Sequence, residues 1–108
     1  MHESFSTGSQ RDTQEGKPRY DLIPLEPLKR LAELYARGAA KYGERNWEKG
    51  QPLSRYYASM FRHMTQWANG ERDEDHIIAV VWNAFAIAWT EAQIEAGCLP
   101  EELADMPR

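Results

Sequence analysis

Three groups of side chains in this sequence are of types that do chemistry. The first is cationic. Lys17, Arg19, Lys41, Arg45 and Lys49 flank a lead-in segment and a loop, with Tyr42, Asn46 and Trp47 among them. A guanidinium forks onto phosphate oxygens and an aromatic face stacks on a base, so the set suits a phosphorylated, aromatic ligand. Taken alone, such cations are more often solvated surface charge. The second group is acidic: Glu71, Asp73, Glu74 and Asp75, beside His63 and His76. Clusters of this kind suit Mg²⁺ or Mn²⁺, which take phosphate substrates through a few carboxylates. Acids at a helix start also stabilise its dipole, and capping suffices to explain Asp73 and Glu74. Asp75 and His76 stand out because they abut an apolar run. A lone boundary histidine such as His63 is more often a satisfied hydrogen-bonding group than a ligand. The third is Asn83, the only polar residue between Ile77 and Trp89. A buried amide without partners costs a few kcal/mol, so something polar should meet it. His76 lies two turns earlier on the same face. Asn83 serves equally well as an amide that bonds a neighbouring helix and sets register only.

The elements that position these groups read as helices. Residues 1–16 hold too little apolar surface to offset their ordering entropy, and disorder is expected there. Residues 17–24, K-P-R-Y-D-L-I-P, form an extended, Pro-punctuated lead-in. A first helix runs from Glu26 or Pro27 to Tyr42 and stops at Gly43. Its stripe is Leu28, Leu31, Ala32, Tyr35, Gly38, Ala39 and Tyr42. The loop 44–53 follows. Ser54 is expected to cap a second helix that ends at Asn69 before Gly70. Tyr57, Met60, Phe61, Met64 and Trp67 give that helix its core stripe, and Arg55, Ser59, Arg62, His63 and Gln66 its polar side. Asp73 caps a third helix that reaches about Ala96, and a short last turn follows Pro100. No strand pattern is present. The fold class is all-α: a small bundle of three main helices over residues 17–97, with residues 98–108 as a short C-terminal turn and tail.

The third helix is apolar on every side, so it must be covered on every side. Two partner helices do not easily do that, and a homo-oligomer with this helix near the interface is expected. The apolar run is too short to span a bilayer and reads as a buried core helix.

The chain has 108 residues and a net charge of −4, the size and balance of one globular domain. Residues 1–62 carry 11 Lys/Arg against 8 Asp/Glu, and residues 63–108 carry 2 against 9. A basic half and an acidic half can face each other across phosphate and metal. Cys98 is the only cysteine, which excludes an intrachain disulfide and a Cys-based zinc site. The first sixteen residues lack an apolar core, so no signal peptide is expected and the cytoplasm is the default compartment. There is no Gly-rich phosphate loop, zinc-protease His-Glu pair or nucleophile elbow. Without a dense basic helix, duplex nucleic acid is not expected as a partner, nor is a membrane.

Several blocks carry a resemblance: K-P-R-Y-D-L-I-P (17–24), G-A-A-K-Y-G-E-R-N-W (38–47), R-H-M (62–64) and H-I-I-A-V-V-W-N-A (76–84). In order and spacing they resemble the phage and bacterial dATP/dGTP diphosphohydrolase N-terminal domain, over about residues 17–92. That group is similar in activity to the all-α MazG-type nucleotide pyrophosphohydrolases. The resemblance implies metal-dependent hydrolysis of a purine deoxynucleoside triphosphate to monophosphate and pyrophosphate. It implies functional roles for Lys41, Tyr42, Arg45, Asn46, Trp47, His63, His76 and Asn83. On this reading Lys17, Arg19, Lys41, Tyr42, Arg45, Asn46 and Trp47 bind substrate, with Trp47 stacking on the base. Asp75, His76, His63 and Asn83 are the catalytic candidates, and Glu71, Asp73 and Asp75 the metal candidates. The sequence departs from the family in two places. Ala79 stands where a second histidine is common, and the acidic turn before His76 is shortened to R-D-E-D (72–75). Both touch the metal side, and they motivate the alternative of a catalytically inactive nucleotide-binding or helical interaction module. A MazG-type acidic pattern can be traced in Glu71/Glu74 and Glu102/Asp105. The second pair lies in a Pro-flanked tail where positions are poorly fixed.

Overall fold

The first helix, α1, spans Leu25–Tyr42. Pro27 stands in its first turn, where a missing N–H costs nothing. It ends where Gly43 takes φ +94°, a backbone that L side chains avoid, and returns its N–H to the Ala39 carbonyl. A 3-10 turn, Asn46–Lys49, leads into α2, Leu53–Ala68. The third helix, α3, spans His76–Glu95, and a last 3-10 turn, Glu101–Leu103, closes the chain. The computed structural model describes residues 1–107, and the three long helices make this an all-α bundle.

α3 is the element against which both other long helices pack. Its length and hydropathy would suffice to cross a bilayer. Its buried positions include His76, Asn83 and Thr90, and the first two find polar partners inside the fold. Leu53 and Tyr56 of α2 meet Ala86 of α3, with Trp82, Ile87, Ala104 and Met106 around them. The C-terminal segment thus folds back onto the core.

Four expectations change. Residues 1–16, read as disordered, carry an antiparallel hairpin of β1, His2–Ser4, and β2, Gln10–Asp12, with His2 opposite Asp12. Every residue of both strands is exposed, so backbone pairing and not burial defines it. Ser54 is not the cap of α2. Pro52 holds that position, and Asp105 comes from the far end of the chain to accept the Ser54 N–H at 2.9 Å and the Ser54 hydroxyl. Asp73 does not cap α3, because His76 takes its carboxylate and Asp75 is the residue before the first turn.

The largest change is the face of α2. Its buried residues are Leu53, Tyr56 and His63. Tyr57, Phe61, Met64 and Trp67 of the apolar stripe are exposed, Phe61 by 62%. The polar contacts made by His63 and Ser59 with α3 rotate the apolar stripe outward. α3 likewise leaves Ala84, Phe85 and Ala88 exposed. The radius of gyration is 18.5 Å, where a compact chain of this length has about 13 Å.

Candidate functional site

α1, the loop after it, α2 and α3 converge on a cavity of about 460 Å³. Helical spacing supplies its walls in pairs. Gly38 and Tyr42 lie four apart on α1, Ser59 and His63 four apart on α2, Ala79 and Asn83 four apart on α3. Arg45, Asn46 and Trp47 enter from the loop and Glu74 from the turn before α3.

Trp47 is held by its neighbours. Its ring meets Trp89 edge-on at 5.0 Å and Tyr35 at 6.0 Å, and Tyr35 in turn meets Trp82. Such contacts anchor the loop to α1 and α3. Tyr42 is the freer ring, 63% exposed, with the Lys41 ammonium 5.4 Å from its centroid. Burial pushes the Tyr35 phenol up, so it stays neutral. Arg45 sits in the left-handed region at φ +58°, the only described non-glycine residue with positive φ. A non-glycine residue held there at a cavity rim is the kind of strain that clusters at functional sites. Its guanidinium meets Glu48 at 2.9 Å on the surface, a contact readily exchanged for a ligand.

On the opposite wall a chain of polar contacts runs inward. Arg62 approaches His63 Nε2 at 3.3 Å, His63 Nδ1 meets His76 Nδ1 at 2.9 Å, and His76 Nε2 meets Asp73 Oδ1 at 2.8 Å. Arginine only donates and an ionised carboxylate only accepts. The tautomers follow: His63 carries its proton on Nδ1 and donates it to His76 Nδ1, and His76 donates from Nε2 to Asp73. Both imidazoles are buried, His76 to 2% exposure. Burial holds His63 below the ordinary histidine value, with Glu74 opposing and Arg62 and His76 adding to the effect. The hydrogen bond from His76 holds the Asp73 carboxyl below its usual range. Glu74 Oε1 stands 3.7 Å from His63 Nδ1.

Asn83 is 4% exposed. Its Nδ2 donates to the Ala79 carbonyl at 2.8 Å and to Ser59 Oγ at 3.3 Å. Both amide hydrogens are thereby used, which leaves Oδ1 as the free acceptor of a residue that lines the cavity.

The remaining expected site residues lie elsewhere. Lys17 and Arg19 line a separate surface depression beside the N-terminal hairpin, and Arg19 is bound to Asp21 through both guanidinium contacts. Lys41 is exposed outside the cavity. Glu71 accepts from Asn69 Nδ2 at 3.1 Å. Asp75 takes the Arg30 guanidinium on both oxygens, at 2.7 and 2.8 Å, joining α1 to the start of α3. That fork holds the Asp75 carboxyl below its ordinary value, which makes it a weak base. Asp105 of the traced MazG-type pattern is engaged at α2.

Two donor groups could hold a divalent cation. His63, Glu74 and His76 form one, and Glu71, Asp73 and His76 the other, each with ligand atoms within 4.8 Å of one another. The donor chemistry of both fits such an ion. Sequence reasoning passed over Ser59, Tyr35 and Trp82 as cavity residues, and placed Glu74 in the acidic set without choosing it as a metal candidate. For Ser59 the signal was its i, i+4 relation to His63; for Glu74 nothing in the shortened turn distinguished it from its acidic neighbours.

A small all-α domain with an aromatic, amide, histidine and carboxylate cavity is thus defined. The family described as dATP/dGTP diphosphohydrolase, N-terminal, matches residues 7–97, and the chain belongs to it. No curated protein and no solved structure matches the chain.

Proposed function

We propose that the cavity binds a purine deoxynucleoside triphosphate, dATP or dGTP, and hydrolyses it to monophosphate and pyrophosphate with a divalent metal, Mg²⁺ or Mn²⁺. The observation that carries this is the meeting of Tyr42, Arg45, Asn46 and Trp47 with His63, Glu74 and Asn83 in one cavity, in a chain of this family. The volume is in the range of small-molecule sites. Tyr42 stacks on the base beside the fixed edge of Trp47. Arg45 leaves Glu48 and forks onto phosphate oxygens. Asn46 and Asn83 present amides to the base or sugar. A bound divalent ion supplies charge neutralisation on the phosphoryl group and a more acidic water. Its candidate holders are Asp73 and Glu74 of the turn, with His63 and His76. Water attacks the α-phosphorus and pyrophosphate leaves, with His63 and Glu74, candidate holders of the ion, on the cavity wall. Asp75, engaged by Arg30, positions α3 against α1 and takes no proton. The cytoplasm, where nucleotide pools lie, is the proposed compartment.

Ala79 favours a second reading. It lines the cavity at the position where the family commonly carries histidine. On that reading nucleotide binds and is not cleaved. Pyrophosphate release from the common NTPs and dNTPs, with Mg²⁺ or Mn²⁺ and a chelator control, separates the two. Release from dGTP or dATP that the chelator stops is the expected result. A nucleotide-induced rise in melting temperature without release would establish binding alone.

The uncovered apolar face supports a homo-oligomer. Tyr57, Phe61 and Met64 recur at i, i+4 and i+7 on α2, all exposed, and a second copy would cover them. Light scattering should give a mass at least twice the monomer, and Phe61→Asp should halve it. A wild-type monomer at micromolar concentration would exclude this arrangement.

A further inference from the structure

The two histidines offer more than a hydrogen bond. His63 Nδ1 and His76 Nδ1 face each other at 2.9 Å inside the fold, with one proton between two ring nitrogens. Two nitrogens bound at about 2.1 Å to one cation, at right angles, lie about 3.0 Å apart. At a tetrahedral centre they lie about 3.4 Å apart, so the 2.9 Å hydrogen-bonded pair has to open by at most about 0.5 Å for an ion to replace the shared proton. The third donor, Glu74 Oε1, is 3.7 Å from His63 Nδ1 and belongs to a 58% exposed side chain, free to close in. Behind His76, Asp73 Oδ1 accepts the Nε2 proton at 2.8 Å. A carboxylate on the far nitrogen is the support that fixes a metal-binding imidazole and raises its basicity. His63 and Glu74 line the cavity, so an ion there would touch the ligand space.

We propose that His63 Nδ1, His76 Nδ1 and the Glu74 carboxylate hold a divalent transition metal at the cavity wall, with Asp73 as the outer carboxylate that orients His76. The remaining coordination positions open toward the cavity, where water or phosphate oxygens complete the shell. Two imidazoles and one carboxylate favour Mn²⁺, Fe²⁺, Co²⁺ or Zn²⁺ over Mg²⁺, which prefers oxygen. The proton count closes without net release. His63 gives up its Nδ1 proton and takes one on Nε2, and Arg62 withdraws from its 3.3 Å contact there. Asp75 is not a ligand, since Arg30 takes both its carboxylate oxygens, and Glu71 lies outside this donor group. What the metal does in turnover rests on the proposed nucleotide reaction; the binding itself does not.

The test uses the full chain, stripped with chelator and free of nucleotide. Titration with Co²⁺, Zn²⁺, Mn²⁺ and Mg²⁺ should give one tight ion per chain, with Co²⁺ and Zn²⁺ at least 100-fold tighter than Mg²⁺. His63→Ala and His76→Ala should each weaken Zn²⁺ at least 100-fold. Glu74→Gln and Asp73→Asn should each cost 10- to 100-fold. Glu71→Gln should change nothing. Because the histidine variants remove buried groups, imidazole ¹⁵N spectra of the wild type provide a second measurement. On Zn²⁺ addition both Nδ1 signals should shift to metal-bound values, and the His63 proton should move to Nε2. Unmoved Nδ1 signals with Zn²⁺ bound, a loss of binding on Glu71→Gln instead, or no ion tighter than Mg²⁺ would overturn the assignment. Zn²⁺ bound by the histidines, with no dNTP cleavage under Mg²⁺ or Mn²⁺ either, would leave this site standing and defeat the enzyme reading. Mg²⁺-driven cleavage with the histidines untouched would do the reverse.

Discussion

Replacing Asn83 with leucine separates a functional amide from a structural one. The side chain is 4% exposed, so its environment is that of the core. Its hydrogen bond to the Ala79 carbonyl is an addition to the helix's own, because the Asn83 backbone N–H already serves that oxygen at i−4. Losing it orphans nothing. The bond to Ser59 Oγ is long at 3.3 Å, and Ser59 lines the cavity, where water can replace the amide. The total loss is therefore about 1 kcal/mol, the net worth of one neutral hydrogen bond. Against it stands the burial of a leucine side chain, about 2 kcal/mol. The extra bulk can extend into the cavity, so overpacking is minor. Asn83→Leu should be more stable than wild type by about 1 kcal/mol, which raises the melting temperature of a domain this size by about 4–8 °C. The same variant should lose the rise in melting temperature that dGTP or dATP induces in the wild type. Circular dichroism melts with and without nucleotide measure both. A variant destabilised by about 2 kcal/mol or more that keeps its nucleotide shift would refute the reasoning, and Asn83 would then be a register-setting amide.

Further expectations follow from single residues. Arg45→Gly removes the strained φ of +58° together with the guanidinium, so its melting temperature should equal or exceed wild type while KM for dGTP rises about tenfold or more. Loss of stability with unchanged KM would place Arg45 outside the site. Gly50→Ala puts a Cβ 2.9 Å from Leu99 Cδ1 at a φ of +78°, and should destabilise by more than about 1 kcal/mol, with faster amide exchange around the 3-10 turn at Glu101–Leu103. Unchanged stability would mean the closing segment is loosely attached. Asp105 is held below the ordinary 3.8 by the Ser54 hydroxyl and then its N–H. A depressed folded pKa contributes stability in full above the unfolded value and loses it as pH falls through the folded one. Urea melts of the wild type should therefore weaken below about pH 4, with a shallower slope in Asp105→Asn. Equal slopes would leave the Asp105–Ser54 contact without energetic weight.

Much of the architecture is legible because it depends on local signals. The extent of α1, its glycine stop and the apolar run of α3 are each written within a few turns of chain, whereas Leu28, Ala32 and Tyr42 of the expected α1 stripe are exposed and Leu31 alone is buried. Cavity-lining Tyr42, Arg45, Asn46 and Trp47 are likewise neighbours, at the end of α1 and in the loop after it, and stand out together. What is hidden is pairing across the fold. Arg30 lies 45 residues from Asp75 and Asp105 lies 51 from Ser54, and no periodicity connects either pair. Asp75 thus reads from sequence as a free carboxylate beside a histidine, and in the structure it closes α1 onto α3. The face of α2 misleads for a related reason. Hydrophobic periodicity identifies the most apolar stripe, but His63 and Ser59 make polar contacts with α3 and turn that stripe to solvent. The His63–His76 contact spans 13 residues and a turn, and only the packed helices show that two nitrogens face each other.

The most direct measurement is a crystal structure with Mn²⁺ and a dGTP analogue whose α–β bridge resists cleavage, with the ion located by its anomalous signal. The base is expected against Tyr42 and Trp47, phosphate oxygens on Arg45, and the ion between the phosphates and the His63–Glu74 wall. An analogue bound elsewhere, with this cavity filled by solvent, would contradict this.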